Sequence, residues 1–255
     1  MTTNPFDDAL ALRSEVVRFL TTYHFGVEEM LTKVNILRRE FTVLHDYNPI
    51  EHVGSRVKTP EGILRKAVRK GIPIELDAIR EQVLDIAGVR ITCSFVSDTY
   101  RVRDLLAGQA DVSVLEERDY IAHPKPNGYQ SLHLLTRVPV FLSDRTEHVP
   151  VEVQIRTIAM DFWASLEHKI FYKYDGAVPD GLLAELREAA QVATTLDLRM
   201  EALHDQVRAL PRDEEADAAR EVTADKARTL LEALQRYNAG VGPTADPGGR
   251  DPQGP

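Results

Sequence analysis

The sequence predicts an α+β fold, a mixed β-sheet flanked by helices, with long N- and C-terminal helices. Two observations support this prediction. Four segments rich in β-branched residues, at 86–96, 112–121, 130–141 and 148–156, indicate strands, and helical patterns alternate poorly with them, which favours a mixed sheet over a parallel one. Helical periodicity dominates the chain before residue 47 and after residue 180.

A narrow apolar stripe predicts the N-terminal helix. Apolar residues recur at alternating steps of four and three, which is the spacing of one face of a long helix. The stripe consists of Val16, Leu20, Tyr23, Val27, Met30, Val34, Leu37, Phe41 and Leu44. It ends before Pro49, because proline disfavours helical backbone in the residue that precedes it. A helix of this length needs a partner for its stripe.

The segment 54–71 is basic in an otherwise acidic chain. It has six basic residues and one acid, a local charge of +5, around a helix start at Pro60. The basic residues are Arg56, Lys58, Arg65, Lys66, Arg69 and Lys70. Such a run is either a solvated helix face or a cradle that neutralises a polyphosphate, and composition alone does not choose between them.

Polar side chains form a row on each of two predicted strands. On strand 148–156, period-2 geometry places the aliphatic residues inward and Glu152, Gln154 and Arg156 together on the opposite face. On strand 86–96, alternation puts Arg90 on a polar row that begins beside Asp85. Two carboxylates flanked by arginines favour a site for a metal ion and a phosphate. The alternative is the solvated face of an edge strand.

The loop 119–133 combines rigid backbone with polar and aromatic side chains. Pro124 and Pro126 make its backbone rigid, and Gly128 fits a tight turn. The side chains that it presents are Lys125, Asn127, Tyr129 and His133. This set favours contacts with a nucleotide base and its phosphates, with the tyrosine ring offered for stacking. The alternative is an ordinary tight turn, which explains Asn127 and Gly128 better than it explains Lys125 and Tyr129.

After residue 180 only helical patterns remain. A second apolar stripe with steps of three and four predicts a helix that Pro211 ends. The stripe consists of Leu186, Ala189, Ala193, Leu196, Met200, Leu203, Val207 and Leu210. A further helix is expected at roughly 214–237. Residues 239–255 contain five glycines and four prolines, so this tail is expected to be disordered.

Composition excludes several classes of protein. The chain has 255 residues and a net charge of -9, so an anionic partner must be met by a local basic patch. Cys93 is the only cysteine, which excludes an internal disulfide and a cysteine-based zinc site. The sequence contains no P-loop, dinucleotide-binding, zincin or nucleophile-elbow motif. It also has no long apolar run and no secretory signature, so we expect a cytoplasmic protein without membrane association.

The chain resembles the synthetase domain of RelA/SpoT proteins over about residues 20–210, with the motifs in the same order. The matching segments are Arg56-Val-Lys58, Asp85-Ile-Ala-Gly-Val-Arg90, Lys125-Pro-Asn-Gly-Tyr129, Ser131-Leu-His133, Val151-Glu-Val-Gln-Ile-Arg-Thr157 and Asp161-Phe-Trp-Ala-Ser-Leu-Glu-His168. Its length and helical C-terminal part are similar to the stand-alone small alarmone synthetases. We therefore expect a nucleotidyltransferase-like core at 48–178, helical regions at 1–47 and 179–238, and a tail at 239–255.

The resemblance implies an enzyme that transfers the β,γ-pyrophosphate of ATP to the 3′-hydroxyl of GDP or GTP, giving ppGpp or pppGpp and AMP in the stringent response. It implies Mg²⁺ as the cofactor, held by Asp85 with help from Glu152, and Glu152 as the base. The implied ATP contacts are Arg56 and Arg90 around adenine and Lys58, Lys66 and Arg69 on the phosphates. The implied acceptor contacts are Lys125, Asn127, Tyr129, His133 and Gln154.

Some positions depart from the family pattern. Gly62 replaces a common serine near the ATP phosphates, and Gln130 replaces a common arginine near the acceptor phosphates. Leu31, Asn35 and His52 stand where product-activated members carry other residues, so activation by the product is not expected. The alternative function is a catalytically weak regulator of the same fold that binds a nucleotide or single-stranded RNA.

The two apolar stripes exceed what one mixed sheet of this size covers. We therefore expect a homo-oligomer, a tetramer by the resemblance, built from the helical ends and not from the sheet. The alternative is that the two long helices cover each other within one subunit.

Overall fold

The computed structural model describes residues 5–171, 179–210, 226–232 and 234–235. The elements in chain order are α1 (Pro5–Leu44), β1 (Ile50–Val57), α2 (Pro60–Lys70), α3 (Leu76–Gln82), β2 (Ala87–Cys93), α4 (Val96–Ala107), β3 (Ser113–Asp119), β4 (Leu132–Phe141), β5 (Thr146–Thr157), α5 (Ile158–Phe171) and α6 (Asp180–Ala209). The chain divides into two compact units, residues 1–204 and 205–255. In the second unit, residues 226–232 and 234–235 of the helix expected at roughly 214–237 are helical, whereas the rest of that expected helix and the predicted tail lie outside the described residues.

The sheet has five strands in the order β1-β2-β5-β4-β3. Only β2 and β5 run parallel, and the other three pairs are antiparallel, so the predicted mixed sheet is confirmed. All four predicted strands are present. The fifth, β1, was not predicted, because its sequence is polar and contains Gly54. It is an edge strand, and only Ile50 among its residues is buried, so it lacks an alternating apolar pattern.

One face of the sheet holds the main core. The inward residues Val151, Val153 and Ile155 of β5 are buried, as predicted, and they pack in a single cluster with residues of α1 and α4. At Gly26, α1 approaches so closely that an added Cβ would lie 2.5 Å from Val149 Cγ1. The helix therefore lies directly on β5, which leaves the opposite face of the sheet free for polar side chains.

Most of the stripe of α1 is covered within its own subunit, so it leaves little apolar surface for another chain. Tyr23, Val27, Met30 and Val34 are buried in the core of their own subunit. The alternative, in which α1 and α6 cover each other, is also not what the structure has, because the sheet covers α1. The predicted N-terminal region and catalytic core thus share one hydrophobic core.

The C-terminal helices α5 and α6, unlike α1, are only partly buried. A small cluster of Trp163, Ala164, Leu186 and Ala190 joins α5 to α6, and the Trp163 indole donates to the Leu186 carbonyl at 3.1 Å. Much of the remaining apolar surface of these two helices is exposed. Among the described helices, none is both long enough and apolar enough to cross a membrane.

Candidate active site

Strand register assembles the site on the polar face of the sheet. Glu152 of β5 lies between Gly88 of β2 and Leu135 of β4. The next row along the same face pairs Gln154 with Arg90 on one side and with His133 on the other. Residues predicted from three separate segments are thus neighbours, because β5 lies between β2 and β4.

Asp85 lies two residues before the start of β2 and is held by two lysines. Lys58 Nζ lies 3.0 Å from Asp85 Oδ2 and 2.9 Å from its carbonyl oxygen, and Lys66 Nζ pairs with the same carboxylate oxygen. Lys66 is placed by α2, which Thr59 caps by accepting from the Gly62 amide at 3.2 Å. Burial opposes the charge of Asp85, but the two ammonium groups prevail and hold its pKa below the usual value. Asp85 is therefore an anion at neutral pH.

Glu152 is fixed by its neighbours on the same face. Gln154 Nε2 donates to Glu152 Oε2 at 2.8 Å, and His133 Nδ1 lies 3.5 Å from Oε1. Burial works to raise the pKa of Glu152, and the charge of Asp85 adds to this. Contacts with His133 and Gln154 outweigh both, so the net pKa lies below its usual value. The carboxylate is ionised and oriented before any substrate binds.

Two cavities meet at Glu152. The first, of about 170 Å³, is bordered by Asp85, Lys66, His133 and Glu152 among other residues. The second, of about 250 Å³, is lined by Gly54, Ser55, Arg56, Gly88, Val89, Arg90, Glu152 and Gln154. Glu152 is the carboxylate common to both linings. A group bound in one cavity and a group bound in the other would therefore approach each other beside this carboxylate.

The loop before β4 presents Lys125 and Tyr129, as predicted. A turn closes it, with the Gly128 amide donating to the Lys125 carbonyl at 2.8 Å, and Gly128 has a φ of +91° that disfavours any residue with a side chain. Lys125 Nζ lies 4.5 and 4.6 Å from the ring centroids of Tyr120 and Tyr129. An aromatic surface and a cation thus stand together at one edge of the site.

Two predicted site residues are placed less directly. Asn127 uses its side-chain oxygen to accept from the Tyr129 amide at 3.2 Å, so it shapes the loop. Arg69 is exposed on α2 and lines neither cavity.

Lys70 and Arg118 line the first cavity but carried no predicted role. Lys70 belongs to the basic run noted in the sequence, whereas Arg118 lies on β3 and has no local pattern that marks it.

This fold and site define a class of protein: a transferase acting on phosphorylated substrates, with two ionised carboxylates, several cations and two adjoining cavities. Sequence comparison agrees with that class. The family model described as "Region found in RelA / SpoT proteins" matches residues 55–177. The GTP pyrophosphokinase YwaC of Bacillus subtilis is 48% identical over 194 residues, which is 76% of this chain and 92% of the relative. The GTP pyrophosphokinase YjbM of the same organism is 41% identical, covering 74% of this chain and 89% of the relative.

Solved structures give the same result. Small alarmone synthetase 2 from Bacillus subtilis matches with a TM-score of 0.67 and 48% identity over 73% of this chain and 96% of that one. Small alarmone synthetase 1 from the same organism, bound to its product pppGpp, matches with a TM-score of 0.71 and 41% identity over 76% and 98%. The chain belongs to the RelA/SpoT family, among its small alarmone synthetases.

Proposed function

We propose that this protein transfers the β,γ-pyrophosphate of ATP to the 3′-hydroxyl of GDP or GTP, giving AMP and ppGpp or pppGpp. The observation that carries the proposal is the position of Glu152, an ionised carboxylate at the junction of two cavities. The names of the relatives, GTP pyrophosphokinase, support this reaction, as does the pppGpp bound to small alarmone synthetase 1. Both substrates are abundant in the cytoplasm, which is where we place the activity.

The donor nucleotide is assigned to the second cavity and to the neighbouring lysines. Arg56 and Arg90 line that cavity and offer guanidinium planes to the adenine. Lys58 and Lys66 lie at Asp85 and would neutralise the ATP phosphates. Arg69 is exposed on α2 and lines neither cavity, so its contact with the phosphates rests on the family resemblance alone.

The chemistry of the site fits Mg²⁺. Asp85 Oδ1 is buried and has no hydrogen-bond partner within the described residues, so one carboxylate oxygen remains for a cation. No cluster of three or more His, Cys, Asp or Glu side chains occurs in the described part of the chain. Mg²⁺ typically binds to one or two carboxylates together with substrate phosphates. Asp85 and Glu152 would provide the two carboxylates. When bound, the ion would supply positive charge against the phosphate oxygens.

Glu152 would act as the base. The 3′-oxygen attacks the β-phosphorus of ATP, a new O–P bond forms, the bond from that phosphorus to the α–β bridging oxygen breaks, and AMP leaves with that oxygen. Glu152 takes the hydroxyl proton during the attack. Because its pKa is lowered, Glu152 is already deprotonated at neutral pH. Gln154 and His133 hold the carboxylate in one orientation, so positioning and proton transfer act together.

An assay of AMP release from ATP separates this function from a silent regulator of the same fold. Release is expected to require a guanine nucleotide as acceptor. Binding of both nucleotides without release of AMP would favour the silent regulator. We expect release, because both carboxylates are present and ionised.

Replacing Tyr129 with alanine is expected to weaken binding of GDP by ~1–3 kcal/mol, the usual value of stacking on an aromatic ring, and to change ATP binding much less. Calorimetric titration with each nucleotide measures both effects. Tyr129→Phe is the matched control, because it keeps the ring and loses only the hydroxyl that contacts Arg156 at 2.6 Å and His133 at 2.8 Å. It is expected to show the smaller loss. Equal losses for GDP and ATP in the alanine variant would indicate collapse of the loop instead.

We also propose that the protein is a homo-oligomer, a tetramer by family resemblance, and that α5 and α6 form the contact. Ile158, Phe162, Leu166 and Ile170 are exposed at steps of four along α5. With apolar residues of α6 they line a groove of about 1070 Å³. An apolar groove of this size, lying between two helices, is suited to burial against the same surface of a second copy.

Phe162→Asp is expected to break the assembly without unfolding the sheet, because Phe162 is 66% exposed within one subunit. Light scattering measures the mass. Phe141→Asp, at the exposed end of β4, is the control and should leave the assembly intact. A wild-type mass near the 28.7 kDa of one chain would refute the oligomer.

A further inference from the structure

The ion pair between Arg156 and Asp161 has no role in the site as assigned above. Arg156 is only 4% exposed, which is unusual for a cation, and it lies at the end of β5 on the polar face. Its guanidinium donates to Tyr129 Oη at 2.6 Å, to Gln154 Oε1 at 3.0 Å and to Asp161 Oδ1 at 3.1 Å. Its carbon Cζ also lies 5.1 Å from the centroid of the Tyr129 ring. Arg156 therefore fixes the ring that is assigned to guanine.

Asp161 faces a second arginine through the same oxygen. Arg90 Nη1 lies 3.3 Å from Asp161 Oδ1, the atom that also accepts from Arg156. Arg90 is assigned to adenine, whereas Arg156 is connected to Tyr129. Burial and the charge of Arg156 lower the pKa of Arg90, and Asp161 opposes this effect. Without a carboxylate between them, the two guanidinium groups would repel each other.

The start of α5 places this carboxylate. The helix begins at Ile158, directly after β5, and the Thr157 hydroxyl accepts from the Met160 amide at 3.1 Å. Asp161 lies in the first turn, and its carboxylate contacts Arg156 near the end of the preceding strand. An acid in a first turn is common as a partner of the helix dipole. That role does not require one oxygen to lie within 3.3 Å of two arginines from two different strands.

We propose that Asp161 is a positioning residue shared by both nucleotide sites. A single carboxylate oxygen orients Arg90 for the donor and, through Arg156, orients Tyr129 for the acceptor. Asp161 itself contacts neither the reacting atoms nor the metal. This inference rests on the proposed function, since it takes Arg90 and Tyr129 as the contacts of the two nucleotides.

Calorimetry on the full chain tests the proposal, with Mg²⁺ present and a non-hydrolysable ATP analogue and GDP as the two probes. Asp161→Ala is expected to weaken both probes, each by about tenfold or more, which is the scale of a lost hydrogen bond to a charged group. Arg90→Lys is expected to weaken mainly the ATP analogue. Arg156→Lys is expected to weaken mainly GDP, because a lysine cannot contact Tyr129, Gln154 and Asp161 together. A merely structural role for Asp161 would not produce this pattern, in which the Asp161 variant weakens both probes and each arginine variant weakens mainly one.

Asp144→Ala is the matched control, because Asp144 pairs with Arg145 in the exposed turn between β4 and β5 and should change neither affinity. If Asp161→Ala fails to fold, as judged by its unfolding midpoint, Asp161→Asn is used, which keeps the accepting oxygen and removes the charge. It is expected to weaken both probes by a smaller factor. Loss of affinity for one probe alone, or for neither, would overturn the shared role. Failure of the proposed function is recognised separately, because the wild-type chain would then bind neither probe or release no AMP.

Discussion

Replacing Glu152 with glutamine is expected to reduce turnover by about 10²–10⁴-fold, because the amide keeps the shape of the side chain but cannot accept a proton. Binding of ATP and GDP is expected to survive, since the cations and the aromatic ring that hold them are unchanged. A turnover assay and calorimetry on the same preparation measure the two quantities.

The structure offers a matched control on the same strand. Glu147 of β5 pairs with Arg145 at 2.7 Å and lines neither cavity, so Glu147→Gln should leave turnover unchanged. If Glu152→Gln retained more than about a tenth of the wild-type rate, Glu152 would lose its role as the base, given the usual size of such effects.

Replacing Asp85 with asparagine is expected to raise the Mg²⁺ concentration needed for half-maximal activity by roughly tenfold or more, the scale on which changes around a metal alter its affinity. A neutral amide is a weaker ligand for a hard cation than a carboxylate. It is also a weaker partner for Lys58 and Lys66, which share one oxygen of Asp85. A magnesium titration at saturating nucleotide measures the midpoint.

Asp104→Asn serves as the control for this titration, because Asp104 is an exposed residue of α4 that pairs with Arg103 outside the site. An unchanged midpoint for Asp85→Asn would mean that another group holds the metal. Glu152 and Glu116 are the two other carboxylates that line the first cavity with Asp85.

The fold could be predicted from sequence wherever burial leaves a local pattern. The strands β2, β4 and β5 combine β-branched residues with buried positions, and each was predicted. Strand β3 was also predicted, although none of its residues is buried. Strand β1 has no such pattern, because it lies at an edge and only its first residue, Ile50, is buried. The apolar stripe correctly predicted helix α1. It did not predict that the sheet covers this helix, because a periodic pattern shows which face is buried but not which element buries it.

As with the fold, local sequence predicted which side chains share a face but not which other elements they meet. Glu152 and Gln154 share a face by strand alternation, and that requires only local sequence. Their contact with His133 depends on β4 lying beside β5, which no local pattern indicates. Asp161 was noted only within a motif, because its meeting with Arg90 depends on two strands and the start of a helix. Local sequence therefore predicted the candidate side chains, whereas the contacts that hold them are seen only in the structure.

The central claim is transfer of pyrophosphate to the 3′-hydroxyl of a guanine nucleotide, and one pair of acceptors tests it most directly. ATP is incubated with the protein and either GDP or 3′-deoxy-GDP, which differ only in the attacking hydroxyl. AMP and the guanine product are then followed by ³¹P NMR. With GDP we expect AMP and a guanosine carrying diphosphates at both the 5′ and 3′ positions, and with 3′-deoxy-GDP we expect neither. Equal AMP release with the two acceptors, or release of ADP instead of AMP, would contradict the assignment of this site.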